Sequence, residues 1–270
     1  MTASADSRLL DAVCEIAREA GRAILAVYGR DDFAVERKSD HSPLTEADRA
    51  AHRIISSALA KLDAALPILS EEAAAADYAT RSRWTRYWLV DPLDGTKEFV
   101  KRNGEFTVNI ALVDEHRAVL GAVYAPVLAR MYSGAVSLGA WRSDGAAPAR
   151  PIAVRRAATP LRVVGSRSHP SPELAAYLER LPPYEITDMG SSLKICLVAE
   201  GAADLYPRLG PTSEWDTAAA QAILESAGGR MIDLAGRPLR YNSKDDLLNP
   251  HFLAFGDQRQ DWLAPIRKQS

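Results

Sequence analysis

Apolar side chains at Leu9, Val13, Ile16, Ala20, Ile24 and Val27 recur in steps of three and four. That spacing predicts an amphipathic helix over 6–28, closed by Gly29. Residues 33–38 alternate and read as a short strand. A second helix follows "SPLTEAD". Thr45 is its expected N-cap, and Asp48, three residues on, fits an acidic variant of the capping box. Its apolar stripe is Ala51, Ile54, Ile55, Ala58, Leu59 and Leu62. "LPILSEE" is a short apolar run ending in Glu71 and Glu72, and the alanine-rich stretch 73–83 is expected to be an exposed helix or loop. Then "YWLV" runs straight into "DPLDGT".

From residue 105 the pattern becomes that of consecutive strands over 106–113, 119–124, 130–135 and 139–142, an antiparallel meander with short turns. "SDGAAPARP", over 143–151, is a loop, and a subdomain boundary is expected close after it. Beyond it, strands over 161–165, 186–189, 204–206 and 230–232 alternate with helices after Pro172, over 192–200 and over 214–227. That is α/β layering. The expected units are an α+β half, 1–154, and an α/β half, 155–270.

Bulk properties narrow the function classes. The chain has 270 residues, 47% hydrophobic and 25% charged, as in an ordinary globular protein. Its 33 Lys and Arg balance 35 Asp and Glu, so no strong positive field invites nucleic acid. A small anionic substrate needs only local positive groups. Cys14 and Cys196 each sit in a helical run and read as small buried hydrophobes rather than a disulfide framework, so a reducing cytosol is the expected setting. "MTASADSRLL" lacks the basic and apolar regions of a signal peptide, and no apolar run is long enough to span a bilayer.

The acids raise the chemical question. Glu71 follows "PILS", Asp91 and Asp94 follow "YWLV" on what reads as a tight turn, and Asp216 lies in "SEWDTAAAQAILESAGG" near a helix start. Strand ends and helix starts meet at one edge of layered α/β architectures. Carboxylates gathered there would repel unless divalent cations neutralised them, and oxygen-only ligands suit Mg²⁺. Taken singly, Glu71 and Asp216 read first as capping or solvated turn residues.

In order along nearly the whole chain stand "KSDHSPLTEAD", "ILSEE", "VDPLDGTKEF", "SRSH", "GSSLKICLVAEG" and "YPRLGPTSEWDTAAA". This set resembles the Mg²⁺-dependent, lithium-sensitive inositol monophosphatase superfamily. "DGTKEF", "SRSH" and "GSSLK" point within it to the 3'(2'),5'-bisphosphate nucleotidases of bacterial CysQ type. One departure is Ala220, where the family usually has Gly.

The resemblance implies an α+β fold, a layered α-β-α-β-α sandwich, and two or three Mg²⁺ ions. Glu71, Asp91 and the Leu93 carbonyl would hold one ion, and Asp91, Asp94 and Asp216 a second. Thr96, polarised by Asp48, would take the proton of the attacking water, and the Gly95 and Thr96 amides would face the phosphate. His169, Ser192 and Lys194 would bind the nucleotide end, with Lys194 or His169 meeting the second phosphate. Most metal ligands would thus fall in the first half and the nucleotide-binding motifs in the second. "SRSH" also fits a plain strand-to-helix loop, and Lys194 a solvated helix face. Trp88 and Trp215 read as core.

The implied reaction is hydrolysis of 3'-phosphoadenosine 5'-phosphate to AMP and phosphate in sulfur assimilation, with 3'-phosphoadenylyl sulfate as a further substrate. The alternatives are an inositol or sugar monophosphatase, or a catalytically silent phosphonucleotide-binding protein. The implied partner is a small nucleotide, with no nucleic acid and no integral membrane segment. The expected state is monomer or homodimer, cytoplasmic, with peripheral attachment at the inner membrane left open.

Overall fold

The computed structural model describes residues 3–30, 35–37, 43–74, 76–166 and 171–267. The first apolar stripe forms helix α1 (Ala3–Tyr28), and the second forms α2 (Glu46–Leu62). Thr45 caps α2 as expected, with both halves of the capping box made by Thr45 and Asp48. A short antiparallel pair, β1 (Val35–Arg37) and β2 (Pro43–Thr45), leads into that cap.

The first sheet has seven strands in chain order. They are β3 (Ile68–Ser70), β4 (Arg86–Asp94), β5 (Thr107–Asp114), β6 (Arg117–Ala125), β7 (Arg130–Ala135), β8 (Gly139–Asp144) and β9 (Arg150–Pro151). β3 and β4 are parallel, and the other neighbours are antiparallel, so the expected meander is present. Between β3 and β4 the alanine-rich stretch holds one short helix, α3 (Tyr78–Arg81), and α4 (Thr96–Val100) follows β4. β4 and β5 read as nearly continuous apolar runs because both sheet faces are covered. Trp88, Val90, Ile110 and Leu112 pack towards α1 and α2, whereas Tyr87, Leu89, Ala111 and Val113 pack on the opposite side.

The second sheet has five strands in the order β11-β10-β12-β14-β13. These are β10 (Leu161–Ser166), β11 (Tyr184–Met189), β12 (Leu205–Arg208), β13 (Arg230–Asp233) and β14 (Phe252–Phe255). Helices α6 (Leu193–Ala199) and α7 (Ala218–Ser226) share one buried cluster with strands of both sheets. Helices α5 (Pro172–Leu178) and α8 (Ala264–Arg267) contribute to a third cluster with β10, β12 and β14. The layers therefore run helix, sheet, helix, sheet, helix.

Two of the departures from the sequence reading lie in the second half of the chain. The helix expected over 214–227 is broken into a 3₁₀ turn, Glu214–Asp216, and then α7. Ser213 and Asp216 form a reciprocal capping box that closes the turn, and Thr217 leaves helical geometry at φ −123°. β14, "FLAF", carries no alternation; it is buried between β12 and β13, and only that non-local pairing makes it a strand. Cys14 and Cys196 are buried free thiols.

α7 lies unusually close over β6. A Cβ added at Gly121 would stand 2.1 Å from the Ala219 carbonyl oxygen, so the strand residue must be glycine. The helix answers with Ala218, Ala219 and Ala220, all essentially fully buried. Ala220, the position that departs from the family pattern, is fully buried in this helix. We expect Gly121→Ala to cost about 2–3 kcal/mol, because the obstacle is backbone and cannot rotate away. Chemical denaturation measures this, and an unchanged midpoint would contradict the close approach.

Candidate active site

The strand β4 does not end before its acids, as the sequence suggested. It pairs with β5 through Asp91↔Asn109 and again through Asp94↔Thr107, with a bulge between the two. Pro92 has no amide to give the ladder, which suits it to that break. The bulge leaves Asp91 and Asp94 on one continuous, rigid strand rather than on a mobile turn. Leu93 N closes on Asp91 Oδ1 at 3.0 Å. Gly95 then takes φ +90° as the N-cap of α4, and a side chain there would crowd the Glu105 carbonyl. The amides of the first turn of α4 have no partner within the helix.

Glu71 arrives from the parallel neighbour: its amide donates to Val90 O at 3.2 Å, which sets it beside Asp91. Asp216 comes from the 3₁₀ turn before α7. Oxygens of Glu71, Asp91 and Asp216 all lie within 4.8 Å of one another. Burial, then the neighbouring Glu71, Asp94 and Asp216, push the Asp91 carboxyl well above the usual range. Asp216 is pushed up in the same way, by burial first and then by Asp94 and Glu71. An all-oxygen cluster with this much unrelieved negative charge fits a hard divalent cation such as Mg²⁺.

Asp94 is held differently. Its Oδ2 accepts from Ser192 N at 2.6 Å, Ser192 Oγ at 2.8 Å and Asn109 Nδ2 at 3.4 Å. Ser192, expected at the nucleotide, is committed to this work, and its hydroxyl also lies 2.6 Å from Asp216 O. Thr96 Oγ1 lies 3.5 Å from Asp48 Oδ1 and 3.3 Å from Leu93 O. The other Asp48 oxygen is fixed by Thr45 N at 2.8 Å and Thr45 Oγ1 at 2.5 Å. The helix cap thus doubles as the orienting group for Thr96.

Glu71, Asp94, Gly95, Thr96, Ser192 and Asp216 line a cleft of about 350 Å³ that also contains two buried cations, Lys194 and Arg208. Lys194 is not solvated. Its Nζ donates to Ser191 O at 2.6 Å and stands 5.5 Å from the Tyr206 ring centre. Burial pushes its ammonium down to about 8, against the pull of Asp94. Arg208, at the end of β12, donates to Pro211 O at 2.5 Å, and its buried Nε meets no acceptor. Ser191, at φ +48° and with a buried unpartnered hydroxyl, also faces the cleft. Reasoning from sequence missed Arg208, Ser191 and Asn109. An arginine ending the apolar "LYPR", an asparagine inside "TVNIALVD" and the first serine of "GSSLK" were the available signals. His169 lies outside the described residues.

Residues 5–270 match the profile of the Inositol monophosphatase family. The chain belongs to that family. It is 52% identical over 245 residues to the 3'(2'),5'-bisphosphate nucleotidase CysQ of Escherichia coli K12, covering 90% of this chain and 98% of that one. It is 44% identical over 250 residues to the CysQ of Buchnera aphidicola, covering 92% and 93%. Among solved structures, CysQ from Bacteroides thetaiotaomicron, a bacterial family member, superposes with a TM-score of 0.82 at 43% identity, covering 92% and 97%. An inositol monophosphatase from Thermotoga maritima shares the fold, with a TM-score of 0.78 at 24% identity, covering 97% of each chain. Family members are metal-dependent phosphatases, typically with Mg²⁺, and the acidic cluster is where these residues would hold it.

The electrostatics give a test that does not depend on turnover. We expect Asp91→Asn, measured in chelator, to melt at or above the temperature of the unsubstituted protein, because one repelling charge is gone. Mg²⁺ should raise the melting temperature of the unsubstituted protein and not of the variant. An equal Mg²⁺ shift in both would show that the cation binds elsewhere.

Proposed function

We infer that this protein is a Mg²⁺-dependent 3'(2'),5'-bisphosphate nucleotidase that hydrolyses 3'-phosphoadenosine 5'-phosphate to AMP and phosphate in sulfur assimilation, with 3'-phosphoadenylyl sulfate as a further substrate. The observation that carries this reading is one cleft lined both by acids of the cluster and by two buried cations, Lys194 and Arg208. The acids suit the phosphate to be cleaved. The cations suit a second phosphate on the same small molecule. An inositol monophosphate has no second anion to bring there.

In this reading Glu71, Asp91, Asp216, Asp94 and the Leu93 carbonyl hold two or three Mg²⁺ ions. Bound magnesium supplies positive charge at the transferring phosphoryl group and makes a water more acidic. Asp48 holds Thr96 so that Oγ1 can accept the water's proton while passing its own to Asp48 Oδ1. A threonine alone is a poor base, and the fixed carboxylate supplies what it lacks. The amides of Gly95 and Thr96 orient the phosphate. Ser192 and Asn109 keep Asp94 aimed, so Ser192 serves the substrate through that acid. Lys194, Arg208 and His169 bind the far phosphate. The division near residue 154 belongs to the same proposal, with most acids before it and the far-phosphate groups after it. So do a cytoplasmic place, with inner-membrane attachment left to experiment, and a monomeric or homodimeric state; no helix among the described residues is long and apolar enough to cross a membrane.

Phosphate release from 3'-phosphoadenosine 5'-phosphate and from inositol 1-phosphate, with and without Mg²⁺, tests the reading directly. Faster turnover of the inositol ester would overturn it, and no turnover of either would favour a silent binder. For the cations of the cleft, we expect Lys194→Ala to lower kcat/KM for the bisphosphate roughly ten- to a hundred-fold, the worth of one charge-assisted contact. For 3'-AMP, which has no second phosphate, the loss should be much smaller. Equal losses on both substrates would place Lys194 in support of Asp94 instead.

A further inference from the structure

The segment 242–249, "NSKDDLLN", has no periodic pattern and supplies no acid to the cluster. It nevertheless brackets the short turn that carries Asp216. Asn249 N donates to Thr212 O at 2.8 Å. Its side-chain Nδ2 reaches Ser213 O at 2.7 Å, Thr217 Oγ1 at 3.0 Å and Thr212 Oγ1 at 3.2 Å. One buried amide therefore touches residues on both sides of Asp216. Glu214 N donates to Leu247 O at 2.8 Å, and Asn242 N donates to Glu214 Oε2 at 2.7 Å.

The segment is itself anchored. Arg81, buried to 3% exposure, donates through its guanidinium to Asn242 Oδ1, Lys244 O and Asp245 O. Asn242 Nδ2 donates back to Arg81 O at 2.6 Å.

The turn needs such support. Glu214–Asp216 is a single 3₁₀ turn, with internal bonds of 3.2 Å from Asp216 N to Ser213 O and from Thr217 N to Glu214 O. A turn this short has poor hydrogen-bond geometry of its own. It must also present a carboxylate to Glu71 and Asp91, which repel it. We propose that Asn249 is a positioning residue for the cation site: by tying Thr212 and Ser213 to Thr217, it fixes the turn so that Asp216 meets Glu71 and Asp91. This rests on reading the acidic cluster as the Mg²⁺ site. Asn249 contacts none of the three clustered acids. Its loss leaves every ligand in place but lets the turn move, so the cation must order it on binding. Affinity for Mg²⁺ should fall, while the rate at saturating Mg²⁺ should be largely kept.

The test is Mg²⁺ titration of Asn249→Ala, followed by melting temperature and by calorimetry, with turnover at saturating Mg²⁺ alongside. We expect affinity to fall ten- to a hundred-fold, the usual size of losing a residue that supports a metal ligand. We expect kcat at saturating Mg²⁺ to stay within about threefold, well short of one lost transition-state contact. Tyr177→Phe is the control: it removes a buried hydrogen bond to Trp262 O, remote from the cleft, and should leave Mg²⁺ affinity unchanged. If Asn249→Ala does not fold, Asn249→Ser, which keeps one donor, takes its place with a smaller shift in the same direction. Unchanged Mg²⁺ affinity in the variant that folds, or an equal fall in Tyr177→Phe, would overturn the proposal. Absence of any Mg²⁺ response in the unsubstituted protein would instead overturn the reading of the cluster itself.

Discussion

Buried and half-buried carboxylates that repel one another are the constraint around which this molecule is arranged. Glu71, Asp91 and Asp216 bring oxygens within 4.8 Å, with Asp94 on the same strand as Asp91. Left alone, such a cluster would expand, take up protons or draw in water. It stays together because each acid hangs from a backbone that cannot move far. Asp91 and Asp94 sit in the sheet on either side of a bulge, and Glu71 is bonded to the neighbouring strand. Asp216 is the exception, carried on a short turn, and there side-chain hydrogen bonds of Asn249 and Glu214 hold the turn in place. The cation that neutralises the cluster would meet ligands already placed, which is what gives a charged site useful affinity.

The layered architecture supplies that rigidity by packing rather than by chemistry. β4 and β5 are covered on both faces, so they are fixed from two sides. α7 can lie against β6 only because Gly121 faces a run of alanines, and this brings the turn before α7 to the level of the strand bulge. The α2 cap works likewise. Thr45 and Asp48 close the helix, and the same carboxylate faces Thr96. A local stability device and a reactive group are thus one structure, which ties the position of the threonine hydroxyl to the start of a well-packed helix.

The cations of the cleft follow different physics. Lys194 and Arg208 are both buried, and two cations so close in low dielectric are costly unless anions answer them. Asp94 answers Lys194 in part. Arg208 keeps a buried Nε without an acceptor. Cations with few anionic partners, in the same cleft as acids that repel one another, are complementary to a ligand with separate anionic groups.

Much of this was legible in the sequence, and the reason is local. The cap at Thr45, the apolar stripes of α1 and α2, the meander, and the acids at Glu71, Asp91, Asp94 and Asp216 are set by short-range spacing and residue type. The ordered run of motifs, by its resemblance to a known family, added the layered fold and the metal chemistry. Tertiary structure decided what no window of sequence contains. It turned an expected tight turn into a strand bulge, and it broke one helix into a 3₁₀ turn and α7. It committed Ser192 to Asp94 and took Lys194 out of solvent. It gave Arg81, Asn242 and Asn249 their meaning, because their partners lie up to 164 residues away. Periodicity reports which face of an element is apolar. Which distant polar group will stand opposite a given side chain depends on how the layers close, and that closure is settled only when the whole chain packs.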